Sequence, residues 1–213
     1  MKVTFRASVL LAAIFTALTS CSKDPVATIE NLKTAIAGET NANAKYLAFQ
    51  KQAEAEKLWR IANLFEAAAY AEAMHVKEFN KVLNKLGEPE FKPTAEKPDV
   101  KTTAENVQAA ISGEINEFDE MYPGFISIAK KEKCSDAVAA FTWVNLAEEN
   151  HEEWFVEVLS VLRQKESDQD FHRVWFVCQQ CGGLFLSHFS TCKYCYADWE
   201  TQYFKPQIFE ALY

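Results

Sequence analysis

The stretch FEAAAYAEAMHVKEFNKVLNKL, residues 65–86, places Phe65, Ala68, Glu72, His75, Phe79, Val82 and Leu86 at alternating spacings of three and four. That rhythm puts all of them on one face of a helix. The ends of the face are apolar, as a core-facing seam requires. Its middle holds a carboxylate and an imidazole, and buried polar groups of this kind are costly unless something pairs with them. Residues three apart on a helix project together, so Glu72 and His75 can bind one site.

The same pattern recurs along the chain. Phe141, Val144, Glu148, His151, Phe155, Val158 and Leu162 repeat it nearly residue for residue. Two further seams carry Ile29, Leu32, Ile36, Glu39, Asn43, Tyr46 and Gln50, and Val107, Ala110, Glu114, Glu117, Met121 and Ile128. Helices are therefore predicted over roughly 27–53, 56–86, 103–131 and 135–165. Gly87 and the prolines at 89, 93 and 98 break the chain between the second and third, and Thr102-x-x-Glu105 reads as a capping box opening the third. One seam glutamate alone would read as a surface residue on a slightly rotated helix. Four at mid-length, two of them followed by His at i+3, call for a shared cation.

An internal repeat supports this. Asn31-x-x-x-Ala-Ile-x-Gly-Glu39-x-Asn41 returns as Asn106-x-x-x-Ala-Ile-x-Gly-Glu114-x-Asn116, 75 residues later. Each copy has a lone Glu followed about 33 residues on by Glu-x-x-His. Two like hairpins joined by a link of about sixteen residues predict a four-helix bundle of ferritin-like topology holding two metals. Carboxylates mixed with imidazoles suit iron or manganese better than zinc, although spacing alone does not exclude zinc.

After a linker at 164–170 the composition becomes aromatic and Cys-rich, with Cys178-x-x-Cys181-Gly182-Gly183 and then Cys192-x-x-Cys195. Two such knuckles point to a four-thiolate metal ribbon, the rival being a pair of disulfides. A module this small has little core without its metal. Iron and zinc both fit tetrahedral sulfur; iron is favoured because a redox-silent zinc would offer nothing to a neighbouring di-iron site.

The whole chain has 213 residues, 49% of them hydrophobic, with 22 bases against 30 acids. That charge argues against nucleic acid as a partner. Lys2 and Arg6 precede an apolar run from Val9 to Leu18, too short to span a bilayer, which ends Leu18-Thr19-Ser20-Cys21. This resembles the lipobox of bacterial lipoproteins, in which the Cys is lipidated; the plainer alternative is an ordinary secretory signal. The expected organisation is a leader at 1–20, a tether at 21–27, the bundle at 28–165 and the ribbon at 171–213. The protein is then expected to be anchored by lipid on Cys21, on the periplasmic side of a membrane. Cys134 is expected to be a small core or cap residue with no partner in sequence reach.

Taken together, Gly38-Glu39 with Tyr46, Glu72-x-x-His75, Gly113-Glu114-x-x-Glu117 with Met121-Tyr122-Pro123, Glu148-x-x-His151 and the paired C-x-x-C motifs resemble the rubrerythrin family from about Ile29 to Phe204. The resemblance implies a mainly α, ferritin-like di-iron bundle followed by a rubredoxin-like domain. It also implies an oxidative-stress peroxidase that reduces hydrogen peroxide to water, with electrons entering through the iron of Cys178, Cys181, Cys192 and Cys195. The implied di-iron ligands are Glu39, Glu72, His75, Glu114, Glu117, Glu148 and His151, with one iron moving between His75 and Glu117 as its oxidation state changes. Tyr46 and Tyr122 match family tyrosines beside the site, with simple core packing as the alternative. Two features depart from the family. Tyr196 stands where the second knuckle usually has Gly, and an exported iron-thiolate centre needs a reductant outside the cytoplasm, so the electron donor is unknown. The rival reading is an iron-oxidising or iron-buffering lipoprotein with a structural zinc ribbon. Because the ribbon follows the bundle at the chain's end, a head-to-tail homodimer is expected to bring the ribbon of one subunit to the bundle of the other.

Overall fold

The computed structural model describes residue 21 and residues 24–164, 168–198 and 207–210; the expected leader, 1–20, lies outside them. Helices α1 (Val26–Ala55) and α2 (Trp59–Lys85) form one hairpin. A long link crosses to the second hairpin. Its first arm is α3 (Thr103–Ile115), a π-helical turn (Asn116–Met121) and α4 (Tyr122–Lys131); its second is α5 (Ser135–Arg163). The third helix expected at 103–131 is therefore one rod interrupted by a wider turn. Thr102 and Glu105 form the expected capping box at its start.

The repeat is visible in the backbone. Each hairpin turns through a lysine in the left-handed region, Lys57 at φ 64° and Lys133 at φ 60°. Beside each lysine a glutamate caps the other hairpin: Glu56 accepts from the Thr103 amide at 3.1 Å, and Glu132 from the Thr28 amide at 2.8 Å. An anion at a helix N-terminus contributes about 0.3–1 kcal/mol, so the hairpins clasp each other reciprocally. Apolar layers close both ends of the bundle. One contains Phe49, Phe65 and Phe155; the other contains Ile36, Phe79 and Phe141.

The ribbon is a three-stranded antiparallel sheet in the order β2-β1-β3, made of β1 (Val174–Val177), β2 (Leu184–Phe185) and β3 (Gln207–Glu210). It packs on α2 and α5 of its own chain. Trp175 is wholly buried in the layer that also holds Phe65 and Phe155. Ribbon and bundle of a single chain are thus in contact, and the expected homodimer stays a proposal.

One expectation about cysteine needs correcting. Cys134 caps the start of α5 and is disulfide-bonded to Cys21, 113 residues away in sequence. Sequence distance concealed the pairing, because the start of α1 and the α4–α5 turn meet at one pole of the bundle, where Glu132 holds the amides of Ala27 and Thr28. A sulfur in a disulfide has no thiol left to alkylate. In this structure Cys21 is a cross-link, and a lipid on it requires the pair to be open.

Candidate metal centres

At mid-bundle the seams deliver Glu39, Glu72, His75, Glu114, Glu148 and His151 to one place, all of them buried. Their ligand atoms form two groups, Glu39, Glu72, His75 and Glu148, and Glu72, Glu114, Glu148 and His151, each within 4.8 Å. Glu72 and Glu148 belong to both. His75 Nδ1 lies 2.8 Å from Glu72 Oε2 and 3.0 Å from Glu148 Oε1, while His151 Nδ1 lies 2.9 Å from Glu148 Oε2 and 3.6 Å from Glu72 Oε1. Each shared carboxylate therefore turns one oxygen to each side, as a bridge between two ions does, and Glu39 and Glu114 close the ends.

The donor atoms fit a metal pair. Both oxygens of Glu72 and of Glu148, Glu39 Oε2, Glu114 Oε2 and both histidine Nδ1 atoms are buried with no hydrogen-bond partner. Orphaned groups at this density are rare in a folded protein, and four carboxylates balance the charge of two divalent cations. Without cations the carboxyls compete. Burial, joined by the Glu148 charge, pushes Glu39 and Glu114 far above the usual carboxylate range. Burial acts on Glu148 too, but the His75 and His151 rings overrule it and hold it low.

Two tyrosines brace the outer ligands crosswise. The Tyr46 hydroxyl donates to Glu114, and the Tyr122 hydroxyl to Glu39. Packing alone does not account for them, since each phenol of one hairpin orients a carboxylate of the other.

Glu117 stands apart. It is half-buried, on the π turn, and outside both ligand groups. Burial and the charges of Glu148 and Glu72 push its carboxyl up to about 8, against the pull of Lys45 and His75. The π turn explains its position. The offset between repeats is 75 from Glu39 to Glu114 but 76 from Tyr46 to Tyr122, from Glu72 to Glu148 and from His75 to His151. One residue has been inserted between Glu114 and Tyr122, where the π turn lies. The wider turn restores the register of Tyr122. The change of offset was the sequence signal for it.

The four thiolates also gather. Cys178 Sγ lies 3.6 Å from Cys195 Sγ, and Cys181 Sγ 3.6 Å from Cys192 Sγ, with no disulfide among them. The two knuckles share one backbone design: the Gly182 amide donates to the Cys178 carbonyl at 2.8 Å, and the Tyr196 amide to the Cys192 carbonyl at 2.9 Å. Gly182 has φ 75° and Tyr196 φ 59°. Tyrosine thus accepts the left-handed conformation expected to need Gly, and its side chain, 77% exposed, escapes into solvent.

The first knuckle is turned onto the bundle. The Cys181 carbonyl lies 2.9 Å from His75 Nε2, and the Gly182 carbonyl 3.1 Å from His151 Nε2. Each carbonyl fixes its ring with Nε2 protonated and Nδ1 free to bind metal. Here Gly182 is required by space as well as by φ, since a Cβ would overlap the His75 ring. The Asn150 side chain accepts from the Leu184 amide at 2.8 Å and pins the next strand.

A family model described as Rubrerythrin matches residues 30–159. Nigerythrin of Nitratidesulfovibrio vulgaris is 37% identical over 175 residues, covering 82% of this chain and 84% of its own. A putative rubrerythrin of Methanocaldococcus jannaschii is 32% identical over 75% of this chain and 82% of its own length. The structure of fully reduced, all-ferrous nigerythrin superposes with a TM-score of 0.73 at 32% identity, covering 97% of this chain and 100% of that one. The bacterioferritin BfrA of Mycobacterium tuberculosis, at 14% identity and TM-score 0.62, shares the fold alone. With two carboxylate-histidine groups suited to a pair of irons and a four-thiolate site for a third, the chain belongs to the rubrerythrin family.

Proposed function

We propose that this protein is a non-haem di-iron peroxidase that reduces hydrogen peroxide to water, with electrons supplied through an iron held by Cys178, Cys181, Cys192 and Cys195. The overall change joins one peroxide, two protons and two electrons into two waters. A di-iron pair supplies the redox chemistry when bound, and the chain's residues set its geometry. Glu72 and Glu148 hold the two sites together, Tyr46 and Tyr122 fix the end carboxylates, and the apolar layers exclude water. Glu117 and His75 serve as alternative ligands on one side, the anionic carboxylate suiting the ferric ion and the neutral imidazole the ferrous ion. The observation that carries the reading is the pair of contacts from the Cys181 and Gly182 carbonyls to His75 and His151, which join the thiolate site to the bundle site through two hydrogen bonds.

An extracytoplasmic, membrane-held location is part of the proposal. The leader-like residues 1–20 ending at Cys21 support export and the anchor; the Cys21–Cys134 disulfide suits an oxidising compartment but competes with the lipid for the same sulfur. Mass spectrometry of the mature N-terminus tests it: an acylated Cys21 supports the anchor, and an intact unmodified cross-link refutes it. Metal analysis with a visible spectrum tests the chemistry. Three irons per chain and a red ferric-thiolate band support the peroxidase, whereas two irons with one zinc and no such band support an iron-handling lipoprotein. Reduced protein mixed with peroxide should reoxidise far faster than free ferrous ion; equal rates would refute the peroxidase.

A further inference from the structure

The two knuckles of the ribbon share one backbone but meet different surroundings. The first is closed against the bundle, where a Cβ on Gly182 would overlap His75. The second ends in Tyr196, whose side chain is 77% exposed although its backbone stands at φ 59°. Glycine would relieve that backbone, and a ring so exposed adds little to the core. A strained position that presents a large aromatic side chain to solvent marks a contact made outside the molecule.

The sulfur cluster is most open at the same knuckle. Cys195, immediately before Tyr196, is 8% exposed, whereas Cys178, Cys181 and Cys192 are wholly buried. Phe185, Phe189 and Tyr194, all partly buried, pack around the sulfurs, with the Phe185 ring 4.5 Å from Phe189 and 5.6 Å from Tyr194. Tyr194 reaches from the second knuckle to the first, since a Cβ on Gly183 would meet its ring at 2.7 Å. One metal site thus touches the bundle through Cys181 and comes nearest to solvent at Cys195. Charge narrows what can approach. Residues 178–198 hold one lysine, Lys193, and one acid, Asp198, in a chain with 22 bases and 30 acids. Beside this nearly uncharged tip α5 packs on β2 and carries Glu149 and Glu153 exposed. An aromatic centre with an acidic flank fits a partner whose centre is apolar and whose rim is basic.

We propose that Tyr196 is the electron-entry contact: a small one-electron carrier protein with an apolar cofactor edge and a basic rim docks on Tyr196 and passes its electron through Cys195. One electron leaves the carrier's reduced cofactor and turns the ferric centre ferrous; no bond forms or breaks. A contact built on one exposed ring suits the small, short-lived interfaces of electron carriers. This rests on the reading of the four cysteines as an iron relay.

Electrons cross such a contact in either direction, so an oxidised carrier can probe it. Iron-loaded protein, reduced with dithionite and desalted, is mixed in a stopped-flow cell with ferric cytochrome c, a basic haem carrier, and the haem band is followed. Ferricyanide, which needs no protein contact, is the reference oxidant. Tyr196→Gly and Tyr196→Asn, both suited to a left-handed backbone, should slow the reaction with cytochrome c on the order of 10-fold. Tyr196→Phe should keep the wild-type rate, and ferricyanide should oxidise all four proteins at one rate. The wild-type rate with cytochrome c should fall as salt is added and should exceed the rate with oxidised plastocyanin, an acidic carrier. An unchanged rate of Tyr196→Gly with cytochrome c would overturn the proposal. Equal slowing with ferricyanide would show an altered iron site and overturn it too, and plastocyanin reacting as fast as cytochrome c would overturn the basic partner. Protein that carries zinc at the four cysteines shows no ferric-thiolate band before reduction; that result refutes the relay itself, and is distinct from a red protein in which Tyr196→Gly is silent.

Discussion

The hairpin built on Glu39 and the hairpin built on Glu114 share a seam, a left-handed lysine turn, a capping glutamate and a bracing tyrosine, but only the second contains a π turn. The shared features make two equivalent metal positions out of one design. The inserted residue makes them unequal, because it accompanies Glu117 and leaves Ala42 as the counterpart. Symmetry thus builds the pair, and in the proposed mechanism a local break in it gives one position a choice of ligand.

Substitutions can test where this equivalence begins and ends. The largest effect is expected at the shared ligands: Glu148→Ala removes an oxygen from both groups and should abolish the metal pair, whereas Glu39→Ala should weaken one position and leave the other filled. Metal content after dialysis measures the difference. Equal losses would mean that the two groups are not bridged as the distances suggest.

Next comes Glu117→Ala, which gives both hairpins the same residue. Metal content should stay near wild type, while reoxidation by peroxide slows on the order of 10-fold to 100-fold, as read by stopped-flow. Unchanged reoxidation would make Glu117 an ordinary helix residue. The tyrosines test the shared part of the design. Tyr46→Phe and Tyr122→Phe each remove a buried hydrogen bond to a carboxylate and should each cost about 1.5–3 kcal/mol in urea unfolding of the loaded protein. Clearly unequal costs would extend the asymmetry beyond the π turn. The smallest effect lies in the ribbon, whose knuckles also form a near-symmetric pair. Tyr196→Gly should stabilise the folded chain by about 1 kcal/mol, because only Tyr196 holds a left-handed backbone against its own Cβ.

Much of the site was legible in sequence because metal ligands violate the apolar seam at a fixed period, and surface exposure of a rotated helix does not reproduce that violation on four helices at once. The ribbon's cysteines were legible for the same reason, since their spacing suits few arrangements besides a thiolate cage. What sequence concealed depended on contacts between distant segments. Cys134 meets Cys21 only because two helix ends share a pole of the bundle, and the fit of Gly182 against His75 depends on how the ribbon folds back. The π turn lies between these cases. Its mark, an offset that changes from 75 to 76, is present in the repeat, but a single inserted residue does not disturb a seam read one helix at a time. Tyr196 shows the opposite limit: a residue that looked unsuited to its knuckle takes the required backbone because its side chain has solvent to enter.

In the proposed relay, electrons pass between the two centres of one chain. Fully reduced, iron-loaded protein mixed with excess peroxide in a stopped-flow cell, with the ferric-thiolate band followed over a tenfold range of protein concentration, tests it most directly. The account predicts that the band appears by a first-order process whose rate does not change with protein concentration. A rate that rises in proportion to protein concentration would show that electrons pass between molecules and would contradict it.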